Sequence, residues 1–260
     1  MRGIVLAGGS GSRLSPLTKV VSKQLLPVYD KPLVYYPLST LMLANIRHIL
    51  IISTPSQVGN FEDLLGDGSS LGLKLEYKIQ ENPAGIAQSL VLAESFLGGE
   101  KSVLILGDNV FHGSGLGRRL ETYNQVTGAQ VFGYHIKNPT SYGIATIDSD
   151  GSVLHLEEKP KESKSNIAIP GLYFFDESAS RRASSLTPSA RGELEILDLL
   201  QSYLGDQILN LEMLPRGTAW FDSGTFHDLL EAGTYVKLMQ ERTGERVGDP
   251  IEIAKIRGWL

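Results

Sequence analysis

Gly8, Gly9 and Gly11, with Arg13 two positions on and Lys23 ten beyond that, are the residues whose types and spacing first suggest a chemistry. Glycines free the backbone to turn successive N–H groups toward an anion, and a guanidinium and an ammonium add full positive charge. The set suits a phosphate. Two better-known glycine loops do not fit. The dinucleotide fingerprint needs a further glycine at position 14, which is Leu14, and the P-loop pattern needs a glycine before its lysine, where Ser22 stands. Three glycines alone suit a plain strand-to-helix turn equally well; the neighbouring cations tilt the reading toward phosphate.

Carboxylates come next. Asp108 ends the apolar run Val103-Leu-Ile-Leu-Gly107, so it is expected at the end of a buried strand, where a hard oxygen ligand suits Mg²⁺ and a turn aspartate is the plainer alternative. Asp222, within Trp220-Phe-Asp-Ser-Gly-Thr225, and the run Glu157-Glu158-Lys159 are less telling. Taken alone they equally suit a turn before a helix and a solvated strand end. The five histidines show no ligand spacing, and no Gly-x-Ser-x-Gly motif supports a serine hydrolase.

The elements that must position these groups follow from periodicity. Apolar runs predict strands over Gly3–Ala7, His48–Ser53, Leu73–Gln80 and Ser102–Gly107. Helices are expected between them over Pro32–Ile46, Ser56–Leu65 and Gly85–Leu97. Alternation of this kind implies an α/β fold with a mostly parallel sheet, whose ligands sit outside the carboxyl ends of the strands. Three loops then share one rim: the glycine loop, Gln80-Glu-Asn-Pro-Ala-Gly85, and Gly107-Asp108-Asn109. Farther on, a surface helix is expected over Gly115–Thr127. Strands over Gly143–Asp148 and Val153–Glu158, joined by Ser149-Asp-Gly151, predict an antiparallel hairpin in a smaller β-rich lobe. Later expectations are a strand at Gly171–Phe175, helices near Glu177–Ser185 and over Gly192–Leu204, short strands at Ile208–Leu214 and Thr218–Phe221, and a last long helix opened by a capping-box-like Thr225-Phe-His-Asp228.

Composition sets bounds. The 260 residues, 42% of them hydrophobic, suffice for one domain over residues 1–260. The absence of cysteine accords with a reducing compartment, and no apolar run approaches the ~20 residues that span a bilayer, so a cytoplasmic protein without membrane contact is expected. Twenty-four basic against 29 acidic residues give a net charge of −5, the wrong sign for covering nucleic acid. A small anion needs only a few convergent cations.

Leu6-Ala-Gly-Gly-x-Gly-x-Arg-Leu-x-Pro-Leu-Thr18, followed by Ser22-Lys-Gln-Leu-Leu-Pro-Val-Tyr-Asp-Lys-Pro32, resembles the signature of the sugar-1-phosphate nucleotidylyltransferases, within them the thymidylyltransferases that use glucose 1-phosphate. The resemblance runs on around Gln80, Asp108, Tyr142, Lys159, Arg191 and Asp222. It implies a Rossmann-like three-layer nucleotidyltransferase fold with a mixed, mostly parallel central sheet. The expected division is a nucleotide-binding part (1–137), a sugar-binding part (138–224) and a C-terminal helical part (225–260). The activity it implies is transfer of dTMP from dTTP to glucose 1-phosphate, with Mg²⁺, for deoxysugar synthesis such as that of dTDP-rhamnose, in a homo-oligomer. UTP, another sugar phosphate, or a non-catalytic nucleotide-sugar sensor are the alternatives.

Residue by residue, the resemblance assigns Arg13 and Lys23 to catalysis. Gly8, Gly9, Gly11, Arg13, Gln24, Gln80 and Gly85 would hold nucleotide, and Asn109, Tyr142, Gly143, Glu158, Lys159 and Arg191 the sugar phosphate. Asp108 and Asp222 would hold metal. A glutamine amide matches the edge that thymine and uracil share, so Gln80 does not separate the two bases. Ala84, Ile167 and Leu197 stand where these enzymes commonly carry aspartate, tyrosine and threonine. Longer members continue into a C-terminal helical segment that helps form an accessory nucleotide site and subunit contacts, whereas this chain stops at Leu260, so feedback regulation through that site is expected to be reduced or absent.

Overall fold

The structure is a computed structural model that describes residues 1–9 and 11–260; Ser10 of the glycine-loop motif lies outside the described residues. In chain order, β1 (Arg2–Ala7) leads through the glycine loop to β2 (Pro27–Val28), β3 (Lys31–Pro32), α1 (Tyr35–Leu43), β4 (His48–Ser53), α2 (Val58–Leu65) and β5 (Lys74–Ile79). Then come α3 (Gln88–Leu92), α4 (Glu94–Leu97), β6 (Ser102–Leu106), β7 (Val110–His112), α5 (Leu116–Glu121), β8 (Ala129–His135), β9 (Gly143–Ile147), β10 (Val153–Glu158), β11 (Ile167–Ala168) and β12 (Leu172–Phe175). The rest is α6 (Ala179–Ser184), α7 (Ile196–Gly205), β13 (Leu209–Met213), β14 (Ala219–Phe221), α8 (Phe226–Thr243) and α9 (Pro250–Ile256). The chain divides into two units, one of residues 2–83, 104–122 and 217–260, the other of residue 1, 84–103 and 123–216.

In the first unit, which includes β6 from Leu104 onward, β6, β1, β4 and β5 are neighbours in that order. Ile4, Val5, Ile49, Ile51 and Ile52 are fully buried, as expected for β-branched strands covered on both faces. The pairing of β1, β4 and β5 is parallel, and its register aligns Ala7, Ser53 and Ile79 in one row. Gly8 and Gln80 therefore leave the sheet at the same end, and the Gly107 N–H bonds the Leu6 carbonyl beside them. The shared rim expected from the sequence is present.

A second device is a ribbon of two short strands, β7 and β14, paired antiparallel with Trp220 opposite Phe111 and Phe221 opposite Val110. Continued one step, that register sets Asp222 opposite Asn109. Residues that precede β7 and follow β14 thus emerge together, although more than a hundred positions separate them in the chain.

Two side chains brace this arrangement. Lys31, almost fully buried, bonds Asp30, the Gln240 amide oxygen and the Val247 carbonyl, and so ties the β2–β3 hairpin just after Lys23 to α8 just after Asp222. Tyr36 packs with Val28, Val110, Val236 and Val247 and donates to the Val28 carbonyl at 2.6 Å, and burial pushes its phenol well above the ordinary range. The helix α8 starts where Thr225 and Asp228 form a true capping box and stops at the left-handed Gly244.

In the second unit β8 is the centre, antiparallel to β12 and β11 and parallel to β13, while β9 and β10 form the expected hairpin. Phe132 of β8 meets Tyr123 and Phe174 edge-on, and those two meet each other at a tilt, at centroid spacings of 5.6 to 6.1 Å. Three expected helices differ from the structure. The segment over 85–97 is two short helices that meet at Ala93, and that over 115–127 ends as an α-helix at Glu121 and continues as a 3₁₀ turn. The third, α7, starts at Ile196 instead of Gly192, because Ser189 and Gly192 close a turn and Glu195 is still extended. Among the described residues, no helix is long and apolar enough to cross a membrane.

Candidate active site

The glycine loop is held from three sides. Gly9 and Gly11 have φ of 97° and 56°, the left-handed region glycine adopts freely. Thr18 donates to the Gly11 carbonyl at 2.8 Å, and Gln24, its own oxygen bonded by the Ser22 hydroxyl, reaches the Gly8 carbonyl at 3.4 Å. Gln80 is 2% exposed and lies so close to Gly8 that a side chain there would begin 2.5 Å from its amide oxygen. A cleft of about 300 Å³ beside the loop is lined by Gly9, Thr18, Lys19, Ser22, Lys23 and Ser56, among others, and by no carboxylate. Its charge suits phosphate.

At the end of the β7–β14 ribbon, Lys23 donates to Asp108 Oδ2 at 2.8 Å and to the Asp222 carbonyl at 3.3 Å. The lysine is 9% and the Asp108 side chain 26% exposed, so this is a partly buried, charge-assisted pair. Asp222 lies nearby. Its Oδ2 and the Arg13 guanidinium both stand within 3.3 Å of the point where a side chain on Gly224 would begin. Burial above all, and then the negative charges of Asp228 and Asp108, raise the Asp222 pKa, opposed by the Gly224 N–H and by Lys23. Ser223, buried beside it, holds a left-handed φ of 46°, local strain of the kind that gathers at functional turns.

Two carboxylates at the mouth of a cationic loop fit a divalent ion. Magnesium commonly takes one or two protein carboxylates and completes its shell with substrate phosphates and water. Among the described residues no group of three or more Asp, Glu, His or Cys side chains gathers at one point, so such an ion would rely on the substrate for further oxygens.

In the second unit, the hairpin register closes with Gly143 opposite Glu158, and the Lys159 N–H bonds the Tyr142 carbonyl. Tyr142, Gly143, Glu158 and Lys159 therefore share one end of the hairpin. The Lys159 ammonium pairs with Glu158 at 3.0 Å, and its backbone φ of 44° is again left-handed. Leu197, at the start of α7, packs within contact distance of Gly143. Arg191 reaches Glu195 at 2.8 Å, and Ser189 bonds the same carboxylate oxygen. Gly85, at φ 97°, lies against the Leu194 backbone, where a side chain would begin 2.3 Å from the carbonyl oxygen; Leu194 pairs with Ala84 and Ala87 across this contact. Only glycine permits that approach.

Residues 2–237 match the family model described as nucleotidyl transferase. The chain belongs to the nucleotidyl transferase family. Along its whole length this nucleotidyl transferase is 52% identical to a glucose-1-phosphate thymidylyltransferase of Mycolicibacterium smegmatis, and it spans 90% of that protein. A crystal structure from Bacillus anthracis, assigned as a glucose-1-phosphate thymidylyltransferase and holding sucrose, is 39% identical and superposes with a TM-score of 0.84 over 90% of this chain and 94% of that one. A UDP-glucose pyrophosphorylase solved with UDP-glucose shares the fold alone, at 21% identity and TM-score 0.80 over 92% of this chain and 98% of that one. The α/β nucleotidyltransferase fold with its mixed, mostly parallel central sheet is thereby established.

Some expected site residues of the transferase are engaged elsewhere. Asn109 is 2% exposed, and its amide bonds Asp108 and receives the Trp220 indole N–H, which places it behind the carboxylate. Arg191 makes the ion pair a helix start would give it. Two further acids, one in each unit, are coupled to expected site residues. Asp228 raises the Asp222 pKa, and burial followed by the charges of Glu195 and Glu158 raises that of Asp198. The capping pattern from Thr225 signals Asp228 in the sequence; nothing local signals Asp198.

Proposed function

We propose that this transferase moves dTMP from dTTP to glucose 1-phosphate, giving dTDP-glucose and pyrophosphate. The observation that carries the proposal is identity of about half over the entire chain to enzymes bearing that name, with Arg13, Lys23, Asp108 and Asp222 all present. A phosphate oxygen of the sugar phosphate attacks the α-phosphorus, the new P–O bond forms, and the bond to the bridging oxygen of the β-phosphate breaks. Pyrophosphate leaves with that electron pair.

The protein supplies positive charge and positioning rather than a nucleophile. Backbone N–H groups of the glycine loop and the Arg13 guanidinium hold the triphosphate, and the Lys23 ammonium neutralises charge that gathers on the reacting phosphates. Gln80 and Gly85 face the base, with Gln24 holding the loop beneath. Tyr142, Gly143, Glu158, Lys159 and Arg191 hold the sugar phosphate, with Asn109 behind Asp108. Asp108 and Asp222 would bind Mg²⁺, which when bound withdraws charge from the phosphate oxygens. A soluble cytoplasmic enzyme that acts as a homo-oligomer in deoxysugar synthesis accords with these substrates.

The test is product identification. Purified protein given dTTP, glucose 1-phosphate and Mg²⁺ is expected to form dTDP-glucose and pyrophosphate in equal amounts, as chromatography reads them. Nucleotide hydrolysis that does not depend on the sugar phosphate would overturn the assignment.

A further inference from the structure

We infer that Trp220 is a positioning residue of this reaction, its indole fixing the Asn109 amide and through it the Asp108 carboxylate. This deepens the thymidylyltransferase reading and rests on it. Trp220 Nε1 donates to Asn109 Oδ1 at 2.7 Å, and Asn109 Nδ2 donates to Asp108 Oδ1 at 2.7 Å. The other oxygen of Asp108 takes the Lys23 ammonium at 2.8 Å. Asn109 is 2%, Trp220 9% and Lys23 9% exposed, so the indole–amide link is sheltered from water, while Asp108, its side chain 26% exposed, is the end of the path that opens to the site.

The indole decides the direction of the chain. An asparagine amide presents oxygen and NH₂ groups of nearly equal size, and its two orientations differ little in shape. An indole nitrogen only donates. Bonded to Trp220, the amide must turn its oxygen to the indole and its NH₂ to Asp108. The opposite orientation would set two donors against each other at one end, and a carbonyl oxygen against a carboxylate at the other.

The β7–β14 ladder holds the partners in register, Trp220 lying opposite Phe111 and Asp222 in line with Asn109. One strand thus delivers the indole and Asp222, and the other Asn109 and Asp108. With one Asp108 oxygen held by a neutral donor and the other by an ammonium, the carboxylate stays in the plane that Lys23 and the incoming phosphates require.

The test combines kinetics with a probe of the bond itself. Trp220→Phe keeps an aromatic ring and removes the donor. It is expected to lower kcat about tenfold, in the range that removal of groups orienting metal-site ligands produces, with KM for dTTP and glucose 1-phosphate within about twofold of wild type. Asn109→Ala should do the same, and the double variant should be no slower than Asn109→Ala alone, since both act through one path. In ¹⁵N spectra the Trp220 indole hydrogen should be protected from exchange in wild type and exchange faster in Asn109→Ala.

Unchanged kcat in folded Trp220→Phe, or losses that multiply in the double variant, would overturn the proposal, as would indole exchange that Asn109→Ala leaves unaltered. If Trp220→Phe does not fold, Asn109→Asp replaces it: the indole keeps an acceptor while Asp108 faces a second carboxylate, and a rate equal to wild type would refute the relay. Should wild type not use dTTP, the substrate reading fails, and the exchange experiment still decides whether the indole holds the amide.

Discussion

Asp108→Ala is expected to fold and to lose turnover by a factor on the order of 10³ or more, the scale seen when a group that stabilises transition-state charge is removed. The carboxylate stands two residues past the end of β6, its side chain about a quarter exposed and outside the buried strand core. Among the described residues, its loss leaves the Lys23 ammonium bonded to the Asp222 carbonyl. Breaking a fully buried pair costs about 3–5 kcal/mol. The exposure of Asp108 reduces that figure, so the melting temperature should fall by a few degrees without loss of the cooperative transition. Pyrophosphate release and a thermal melt on the same preparation check both halves. Full Mg²⁺-dependent turnover in the folded variant would remove Asp108 from the site.

The second large effect is that Asp222→Asn should lower activity by about 10²–10³-fold while making the protein more stable at neutral pH when divalent ions are chelated. Burial, and then the charges of Asp228 and Asp108, raise the pKa of this carboxyl above its ordinary value of 3.8. The folded state therefore binds the Asp222 proton more tightly than the unfolded state does. Stability falls as pH rises from the ordinary carboxylate range through the raised pKa, and stays flat above it. Asparagine carries no charge to bury, and it keeps the main-chain carbonyl that accepts from Lys23. In melts from pH 4 to 8 with chelator, the variant should exceed wild type at pH 8, and the difference should shrink toward pH 4. A variant less stable than wild type at pH 8 would show that the Asp222 charge is compensated in the folded protein. The excess of negative charge is also what a bound cation would relieve, so added Mg²⁺ should raise the wild-type melting temperature more than that of Asp222→Asn.

Long elements and groups tied to them are legible in the sequence. The strand His48–Ser53 is a continuous apolar run and agrees at both ends, and Asp108 is visible as the polar residue that ends another. The capping box at Thr225 and Asp228 is legible because capping chemistry is local. Other features depend on pairings far apart in the chain. The short strand expected at Thr218–Phe221 is present as β14, but its partner β7 has only three residues, too few for a period, and is not among the expected elements; it is their ladder that brings Asp222 beside Asp108. Asp222 alone therefore looks like any turn aspartate, and only the resemblance singles it out. The same holds for Asn109, whose amide is claimed by an indole 111 positions away, a partner no local pattern reveals. The late start of α7 has a local cause, for the Ser189–Gly192 turn and the Arg191–Glu195 pair occupy the residues that periodicity assigns to the helix.

Nucleotidyl transfer from dTTP is proposed at a site built on Arg13, Lys23, Asp108 and Asp222. Its most direct test is pyrophosphate release by the wild-type protein with Mg²⁺ and glucose 1-phosphate, with dTTP, UTP, CTP, ATP and GTP each offered separately. The expected result is release strongest with dTTP and absent without the sugar phosphate. Release strongest with UTP would contradict the thymidylyl assignment while leaving the chemistry in place, and no release with any of the five would contradict the account of the site.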